Sequence, residues 1–362
     1  MTPVNPPTDP SANRLLLWWG RFDPAYSRNG VIRHLLQEMG WTIRDFHPHL
    51  SGWADWEATF ARLPRPAAVW VPCFRQRDVL AAARWARRHG VPLIFDPLIS
   101  AYDKQVSEHR KFPADDPRAV RLLAKEREQF ARADRVVADT VCHAAYFHET
   151  LRVPEERLRV VYVGAESCFV PPAAESARPD DAPVEVLFYG GFIELHGVET
   201  IVEAARRYQG PPVRWCLLGD GPMQTACQRA AEGLAQVTFE PPVPYADLCG
   251  RIHRADILLG VFGTTPKAGR VMPNKVFQAL AAGRPVITRA SEAYPEPARD
   301  SEALAFLPPG DSRALADSVA RWAADRPRLA ERGREARALY ERCFASSVIV
   351  SQLSALLDGL PG

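Results

Sequence analysis

The sequence predicts an α/β protein built from two doubly wound parallel sheets. Short apolar runs alternate with segments of helical period from about residue 15 onward, a pattern typical of repeated strand–helix units. The alternation stops at a polar, proline-rich stretch, residues 166–183, and then starts again. At 362 residues the chain also exceeds the roughly 100–200 residues of a typical domain. We therefore expect two domains joined by a linker at residues 166–183.

The first domain is predicted over residues 14–165, after a disordered tail at residues 1–13. Its strands are expected at residues 15–19, 42–46, 67–71, 92–95, 135–138 and 159–163. Helical periodicity predicts helices at residues 28–39, 75–89, 117–132 and 140–150. Because strands and helices alternate, the sheet should be parallel with helices on both faces.

The second domain is predicted over residues 184–344 and follows the same plan. Its strands are expected at residues 184–189, 213–218, 237–240, 257–261 and 285–288, and the chain after residue 310 is expected to be helical. The last helical segment, within residues 345–362, carries apolar side chains at Val348, Leu353, Leu356 and Leu357. This apolar stripe predicts that the segment packs back onto the first domain.

The composition favours an ordinary soluble globular protein, with 47% hydrophobic and 24% charged residues. A formal charge of +2 gives no support for nucleic-acid binding. The 7 cysteines are scattered and never two residues apart, so we expect reduced thiols and no metal held by protein ligands. The amino terminus has no apolar leader, and no run approaches the ~20 apolar residues of a membrane span. A cytoplasmic location is expected.

The stretch from Gly269 to Ile287 contains the clearest signal for a ligand site. Pro273 suits the first turn of a helix, and Gly283 can end that helix in the left-handed conformation. A helix should therefore begin beside Lys275. Free backbone amides, the positive end of the helix and a lysine together favour the binding of a phosphate. The stretch thus indicates a nucleotide site.

Glycines follow two consecutive strands of the second domain. Gly190 and Gly191 follow the first of these strands, and Gly219 and Gly221 follow the next. Glycines let a ligand approach the backbone, and the carboxyl ends of parallel strands line the crevice where such sheets bind ligands. Either loop alone is equally well explained as an ordinary tight turn. Their recurrence favours a ligand site.

These segments occur in the order and spacing of the family 4 retaining glycosyltransferases, which the chain resembles. The matching segments are residues 189–197, 218–222, 255–257 and 273–287. The likeness covers roughly residues 160–345 well and the amino-terminal half only loosely. It implies the GT-B architecture, in which two Rossmann-like domains face each other across a cleft. It also implies that the second domain holds a nucleotide-sugar donor and the first domain an acceptor.

The chain departs from the family pattern at four positions. The family usually has an arginine and a lysine five positions apart in the first glycine loop, where this chain has Gly191 and His196. It also commonly has two glutamates eight positions apart, where this chain has Arg270 and Gln278. Gln278 can still hydrogen-bond a ribose hydroxyl. We expect that Arg270 and Lys275 bind the donor diphosphate instead; the alternative is that both are solvated surface residues.

The candidate site residues lie at strand ends and helix starts of both domains. For the donor they are Gly20, Arg28, Gly190, Gly191, His196, Gly219, Gly221, Glu240, Asn274, Lys275 and Gln278. The catalytic candidates are Asp96, Asp103 and Arg270, with Asp96 the first choice for orienting or deprotonating an acceptor hydroxyl and Asp103 the second. The alternative for either carboxylate is an ion pair in a capped, solvated loop.

The expected activity is transfer of a sugar from a nucleotide-diphosphate donor to a hydroxyl of a glycan, a lipid-linked saccharide or a small molecule, with no cofactor beyond the donor. Two alternatives stay open: a nucleotide-sugar epimerase of the same fold, and a non-catalytic subunit that binds nucleotide sugars. The basic, tryptophan-containing segment 84–89 has two explanations. Its cations favour the carboxyl end of a helix, or they contact anionic lipid at a membrane surface.

Overall fold

The computed structural model describes residues 14–172, 182–358 and 360, and these form two parallel sheets. The predicted tail at residues 1–13 lies outside the described residues, as do residues 173–181 of the predicted linker. Each sheet has six strands with helices packed against it, so the predicted fold class is confirmed. In the described part of the chain, no helix is both long enough and apolar enough to span a bilayer.

The first sheet contains the strands of residues 14–165. They are β1 (Leu15–Trp19), β2 (Thr42–Phe46), β3 (Ala68–Val71), β4 (Leu93–Phe95), β5 (Arg135–Ala138) and β6 (Leu158–Val160). The helices between them are α1 (Ser27–Glu38), α2 (Ala54–Phe60), α3 (Val79–His89), α4 (Pro117–Ala131) and α5 (Val141–Glu149).

The second sheet repeats this plan. Its strands are β7 (Val184–Tyr189), β8 (Val213–Leu218), β9 (Val237–Glu240), β10 (Ile257–Leu259), β11 (Val286–Arg289) and β12 (Leu304–Leu307). The helices are α6 (Val198–Arg207), α7 (Gln224–Ala230), α8 (Leu248–His253), α9 (Asn274–Ala281), α10 (Glu296–Arg299), α11 (Ser312–Ala323), α12 (Arg326–Cys343) and α13 (Ser346–Asp358). The strands predicted from sequence differ from the observed ones by at most three residues at either end, but β12 was not predicted.

The strand order of each sheet fixes where a ligand can bind. The first sheet has the order β2-β1-β3-β4-β5-β6 and the second β12-β11-β10-β7-β8-β9. The direction of winding therefore reverses between β1 and β3 and again between β7 and β10. In doubly wound sheets the crevice for a ligand opens outside the carboxyl ends of the strands at such a reversal. Gly20 follows β1 and Gly190 follows β7, so both lie at these points.

Alternating side chains on the strands build a core on each face of a sheet. Leu16 and Trp18 of β1 pack on the face that carries α1, whereas Leu17 and Trp19 pack on the opposite face with α3. A strand buried on both faces in this way reads as a continuous apolar run, because helices cover both sides of a parallel sheet.

The last helix of the chain, α13, packs against the first domain although it follows the second. Ile349, Leu353 and Leu356 are at most 1% exposed and belong to the same core as Leu16 and Trp18. A hydrogen bond from the Tyr162 backbone amide to the Gln352 side chain (2.9 Å) fixes the register of α13 at the end of the sheet. The helix thus joins the segment after the second sheet to the first sheet.

We expect Leu353→Ala to lower the free energy of unfolding by about 2–5 kcal/mol, because it opens a cavity beneath α13. The matched control is Ser351→Ala, an exposed residue of the same helix, which should change the stability by less than about 0.5 kcal/mol. Urea titration followed by circular dichroism measures both. Equal stabilities for the two variants would show that α13 does not stabilise the first domain.

Candidate active site

The glycine loops after β7 and β8 pack backbone against backbone. Gly190 has φ +133° and Gly219 has φ +136°, in the region that favours glycine. A Cβ atom on Gly219 would lie 2.1 Å from the carbonyl oxygen of Gly190, and one on Gly221 would lie 2.7 Å from the Phe192 nitrogen. Gly191 has only ordinary contacts around its Cβ position, at 3.8 Å or more. The glycines therefore let the two strand exits meet closely at the ligand-binding edge.

Lys275 lies against the first of these loops. Its helix, α9, starts at Asn274 after Pro273, as the sequence predicts. The lysine is 6% exposed, its Nζ atom lies 3.9 Å from the Phe188 ring centroid, and it would be 3.1 Å from a Cβ on Gly190. Within the described residues this Nζ has no hydrogen-bond partner, and burial lowers the pKa of Lys275 well below its usual value. The site therefore contains a buried amine that lacks a counter-charge.

His196 completes this corner of the site. Its Cε1 atom lies 3.3 Å from the Cβ position of Gly190, next to Lys275, and its Nδ1 contacts the Gly191 carbonyl oxygen at 2.5 Å. Burial, and then the nearby Lys275, lower the pKa of His196 to about 3. The ring is therefore neutral at physiological pH, so that its Nδ1 donates to the carbonyl. His196 therefore adds no positive charge next to Lys275.

Gln278, one turn of α9 after Lys275, belongs to a chain of hydrogen bonds. The Tyr189 hydroxyl donates to its Oε1 (2.9 Å), and its Nε2 donates to the Tyr245 hydroxyl (2.7 Å). Tyr245 in turn donates to Glu166 (2.6 Å). Gln278 is 3% exposed whereas Tyr245 is 49% exposed. The accessible end of this series of hydrogen bonds therefore consists of Tyr245 and Glu166. Sequence reasoning missed both of these residues.

Glu240, at the end of β9, is held in an ion pair. Arg251 donates to both of its carboxylate oxygens (2.8 and 2.9 Å) and also pairs with Glu185 at 2.5 Å. Hydrogen bonding to Arg251 is the main reason why the pKa of Glu240 is lowered. The backbone of Glu240 accepts from the Gly219 amide (3.0 Å), so the residue adjoins the glycine loops.

Two candidates from the first domain, Arg28 and Asp96, bind each other. The Arg28 Nε and Nη2 atoms lie 3.0 and 3.2 Å from the two Asp96 oxygens, and Nη1 donates to the Val161 and Tyr162 carbonyls. Arg28 is 0% and Asp96 2% exposed. The structure therefore does not offer Arg28 to a donor or Asp96 as a free base: in this conformation they form a buried ion pair that joins α1, β4 and the end of the sheet.

Gly20 lies at the exit of β1 and faces a different ion pair. Its φ is +130°, and a Cβ atom there would lie 2.9 Å from an Asp78 oxygen and 3.0 Å from the Arg75 Nε. Arg75 donates to Asp78 at 2.6 Å. A ligand that approached Gly20 would therefore meet the Arg75 guanidinium.

Two ion pairs join the domains, Asp103 with Arg270 and Glu108 with Lys267, and we call these four residues the clasp. A π-helical turn at residues 103–108 of the first domain presents Asp103 and Glu108. Asp103 pairs with Arg270 (2.5 Å), and Glu108 pairs with Lys267. Asp103, Glu108 and Lys267 are each at most 5% exposed. The clasp brings two predicted catalytic residues, Asp103 and Arg270, into direct contact.

Further contacts hold Arg270 in place. Its guanidinium carbon lies 4.5 Å from the centroid of the Tyr146 ring, and its carbonyl oxygen accepts from the Thr140 hydroxyl (2.7 Å). Both partners belong to the first domain. In this conformation Arg270 therefore binds the opposite domain and is not directed at the α9 helix start.

A buried histidine–aspartate pair follows β5 at the same edge. Asp139 accepts a hydrogen bond from the His143 Nδ1, and the two residues are 5% and 1% exposed. Thr140 caps α5 by accepting from the His143 amide (3.1 Å). Sequence reasoning missed this pair, although Asp139 directly follows a strand and the strand-exit criterion used elsewhere would have found it. In the described parts of the chain, no three His, Cys, Asp or Glu side chains form a possible metal site.

Two glycosyltransferase family models match the two halves of the chain. Residues 11–164 match the family described as "Glycosyl transferase 4-like domain", and residues 183–325 match "Glycosyl transferases group 1". A D-inositol 3-phosphate glycosyltransferase of Rhodococcus erythropolis is 31% identical over 226 residues, covering 58% of this chain and 48% of that protein. A lipopolysaccharide core biosynthesis glycosyltransferase, LpsE, of Rhizobium meliloti is 27% identical over 75% of this chain and 83% of that protein. The chain spans about half the length of the first curated relatives that it matches.

Solved structures with the same fold have low sequence identity to the chain. Sucrose-phosphate synthase from Thermosynechococcus elongatus superposes with a TM-score of 0.75 at 19% identity, covering 95% of this chain and 98% of that one. Anabaena HepE, solved in complex with UDP and glucose, superposes with a TM-score of 0.71 at 15% identity, covering 96% and 100%.

We expect the His196 ring to stay neutral down to about pH 4, because the pKa of His196 is about 3 in the folded protein. In the unfolded chain the ring titrates near 6.5. The folded state should therefore lose stability as the pH falls from about 6.5 towards 3, where only the unfolded chain takes up the proton. Histidine ring NMR, with His196→Gln for assignment, measures this. Titration of His196 near pH 6.5 would contradict the buried environment.

Proposed function

Since the chain belongs to the glycosyltransferases of GT-B fold, we propose that it transfers a sugar from a nucleotide-diphosphate donor to a hydroxyl acceptor. The observation that carries this proposal is the buried, unpartnered Nζ of Lys275, which faces Gly190 where the winding of the second sheet reverses. A buried amine without a counter-charge is costly unless an anion binds there. The diphosphate of the donor is that anion in this proposal.

The chemistry of the departing diphosphate explains why a cation, Lys275, would be needed at this position. When the bond between sugar and phosphate breaks, negative charge accumulates on the departing diphosphate, and a preorganised cation stabilises it most where water is excluded. The start of α9, beside Lys275, is also the positive end of that helix, which favours an anion there. Lys275 thus replaces, from a neighbouring element, the positive charge that His196 does not supply.

Arg270 is the second cation proposed for the diphosphate, and in this conformation Asp103 and Tyr146 hold it. For Arg270 to reach the donor, its pair with Asp103 has to open. Opening would free a guanidinium on one side of the cleft and a carboxylate on the other. We therefore assign donor binding in the closed state to Lys275 and treat Arg270 and Asp103 as a coupled pair.

Retention of anomeric configuration and a cytoplasmic location also belong to the proposal. The resemblance to retaining enzymes supports retention, and the scattered reduced cysteines support a cytoplasmic location. Anabaena HepE, with its bound UDP and glucose, supports a nucleotide-sugar donor. The experiment is to incubate the protein with a panel of nucleotide sugars and measure release of nucleoside diphosphate with and without sugar, inositol and lipid-linked acceptors.

One observation favours a second candidate, a subunit that binds nucleotide sugars without turnover. Both carboxylates proposed to act on the acceptor, Asp96 and Asp103, are paired with arginines. Binding of a nucleoside diphosphate without release of sugar to any acceptor or to water would support this candidate. Release that depends on an acceptor would exclude both it and the epimerase.

We expect Lys275→Met to weaken the binding of nucleoside diphosphates by about 10- to 100-fold, the loss of a charge-assisted hydrogen bond of about 1.5–3 kcal/mol. The fold should be retained, because methionine fills the same buried space without an amine. Isothermal titration calorimetry measures the affinity. The matched control, Lys125→Met on the exposed face of α4, should bind as the unaltered protein does. Equal affinity in all three proteins would remove the proposed role of Lys275.

Binding of a nucleoside diphosphate should be accompanied by uptake of up to about one proton. Burial lowers the pKa of Lys275 in the free protein, and a bound diphosphate raises it again, so the amine takes up a proton between these two pKa values. Affinity should therefore fall as the pH rises from the pKa of Lys275 in the free protein to its pKa in the complex. Calorimetry in buffers of different ionisation enthalpy counts the protons. The same uptake in Lys275→Met would assign the proton to another group.

A further inference from the structure

The first domain exposes a set of large apolar side chains on and beside the short helix α2. Leu50, Trp53, Trp56 and Phe60 are 63%, 67%, 51% and 79% exposed, and we call them the aromatic patch. Isolated apolar side chains are common on protein surfaces, but a contiguous cluster of this kind indicates an interaction site. We therefore expect the aromatic patch to bind a partner.

The patch occupies one face of a continuous helical segment. Trp53, Trp56 and Phe60 are spaced three and four positions apart, which places them on the same side of a helix. The opposite side, with Ala54 and Ala58 at 0% exposure, packs into the core beside α3. The Trp56 and Phe60 rings stack with centroids 6.4 Å apart. The outward face is thus a convex ridge of aromatic rings.

Two arginines border the patch, and the nearby carboxylates are hydrogen-bonded or paired. Arg84 and Arg88 of α3 are exposed, and the Arg88 guanidinium lies 5.4 Å from the Trp56 ring centroid. Asp55 is 0% exposed beneath Arg84 and Arg88. Glu57 accepts hydrogen bonds from the His49 and Leu50 amides. The surface that the ridge presents to the outside is therefore apolar and positive.

Segment 84–89 supplies exposed arginines to this surface, but its tryptophan does not contribute an exposed ring. Trp85, which made segment 84–89 a membrane candidate, is 0% exposed and stacks on His89 with centroids 4.0 Å apart. The exposed rings come from the neighbouring helix, whose buried face contacts α3. The two helices together form one surface.

We propose that the aromatic patch and the arginines of α3 dock on a bilayer that contains anionic lipid. Tryptophan and phenylalanine rings insert between headgroups at the interface, and arginines bind the lipid phosphates. A convex ridge fits a deformable bilayer surface, whereas a globular partner would need a complementary groove. The patch starts just after β2, at the carboxyl edge that bears the clasp. Docking there would present a lipid-carried acceptor to the cleft, a role that rests on the proposed function.

The test is co-sedimentation of the full chain with vesicles of phosphatidylcholine that contain about 30 mol% phosphatidylglycerol. The protein should bind these vesicles, bind pure phosphatidylcholine more weakly, and lose affinity as salt is added. The double variant Trp53→Ser, Trp56→Ser should bind at least about tenfold more weakly. Arg88→Gln should bind about fivefold more weakly, as expected for the removal of one arginine near the surface.

Two controls match these variants. Val120→Ser removes another exposed apolar side chain of the first domain, 54% exposed, and Arg313→Gln removes an exposed arginine of the second domain. Both should bind vesicles as the unaltered protein does. Equal vesicle binding by the double variant and the unaltered protein, or no binding by either, would overturn the proposal.

Two further measurements separate this proposal from others. Analytical ultracentrifugation of the double variant reports whether the patch joins two copies of the chain: a change of mass in solution without a change in vesicle binding would overturn docking on lipid. Affinity for nucleoside diphosphate should be the same in the double variant and the unaltered protein. If neither the unaltered protein nor the double variant binds a nucleoside diphosphate, the proposed function is refuted. The result of the vesicle experiment would remain valid in that case.

Discussion

The site depends on the electrostatics of one buried amine. Within the described residues, Arg28, Arg251 and Lys267 are buried and each pairs with a carboxylate, whereas the equally buried Lys275 does not. The three pairs compensate the cost of removing charge from water, whereas burial lowers the pKa of Lys275 well below its usual value. A bound anion would raise that pKa again, because a nearby negative charge favours the charged amine. The free energy of this pKa shift is part of the free energy of ligand binding.

The sheet topology explains why Lys275 is in the right place. Reversal of the winding between β7 and β10 opens a crevice, and Gly190 leaves β7 at its edge. Because the loops after β7 and β8 have no side chains in their tightest contacts, the α9 helix start can approach their backbone. The clasp holds the first domain across this crevice through Arg270 and Lys267. The residue proposed to bind the donor and those that join the domains are therefore close in sequence, within residues 267–275.

The local features of the structure could be predicted from the sequence, whereas the long-range ion pairs could not. Eleven of the twelve strands, the start of α9 beside Lys275 and the glycine loops all follow from periodicity and turn chemistry, which are local properties. The partners of Arg28 and Arg270 are 68 and 167 positions away in the chain. No local pattern identifies such partners, so the sequence left two explanations open for Asp96 and Asp103: a carboxylate that acts on the acceptor, or an ion pair in a solvated loop. β12 was missed because its short apolar run lies between a four-residue helix and a proline turn.

A crystal structure of the chain with a bound nucleoside diphosphate would show whether Lys275 holds the diphosphate. We expect a phosphate oxygen about 2.7–3.0 Å from the Lys275 Nζ, beside Gly190 and the start of α9. A diphosphate bound in the same cleft but held by other residues, with the Lys275 amine still packed on the Phe188 ring, would contradict it.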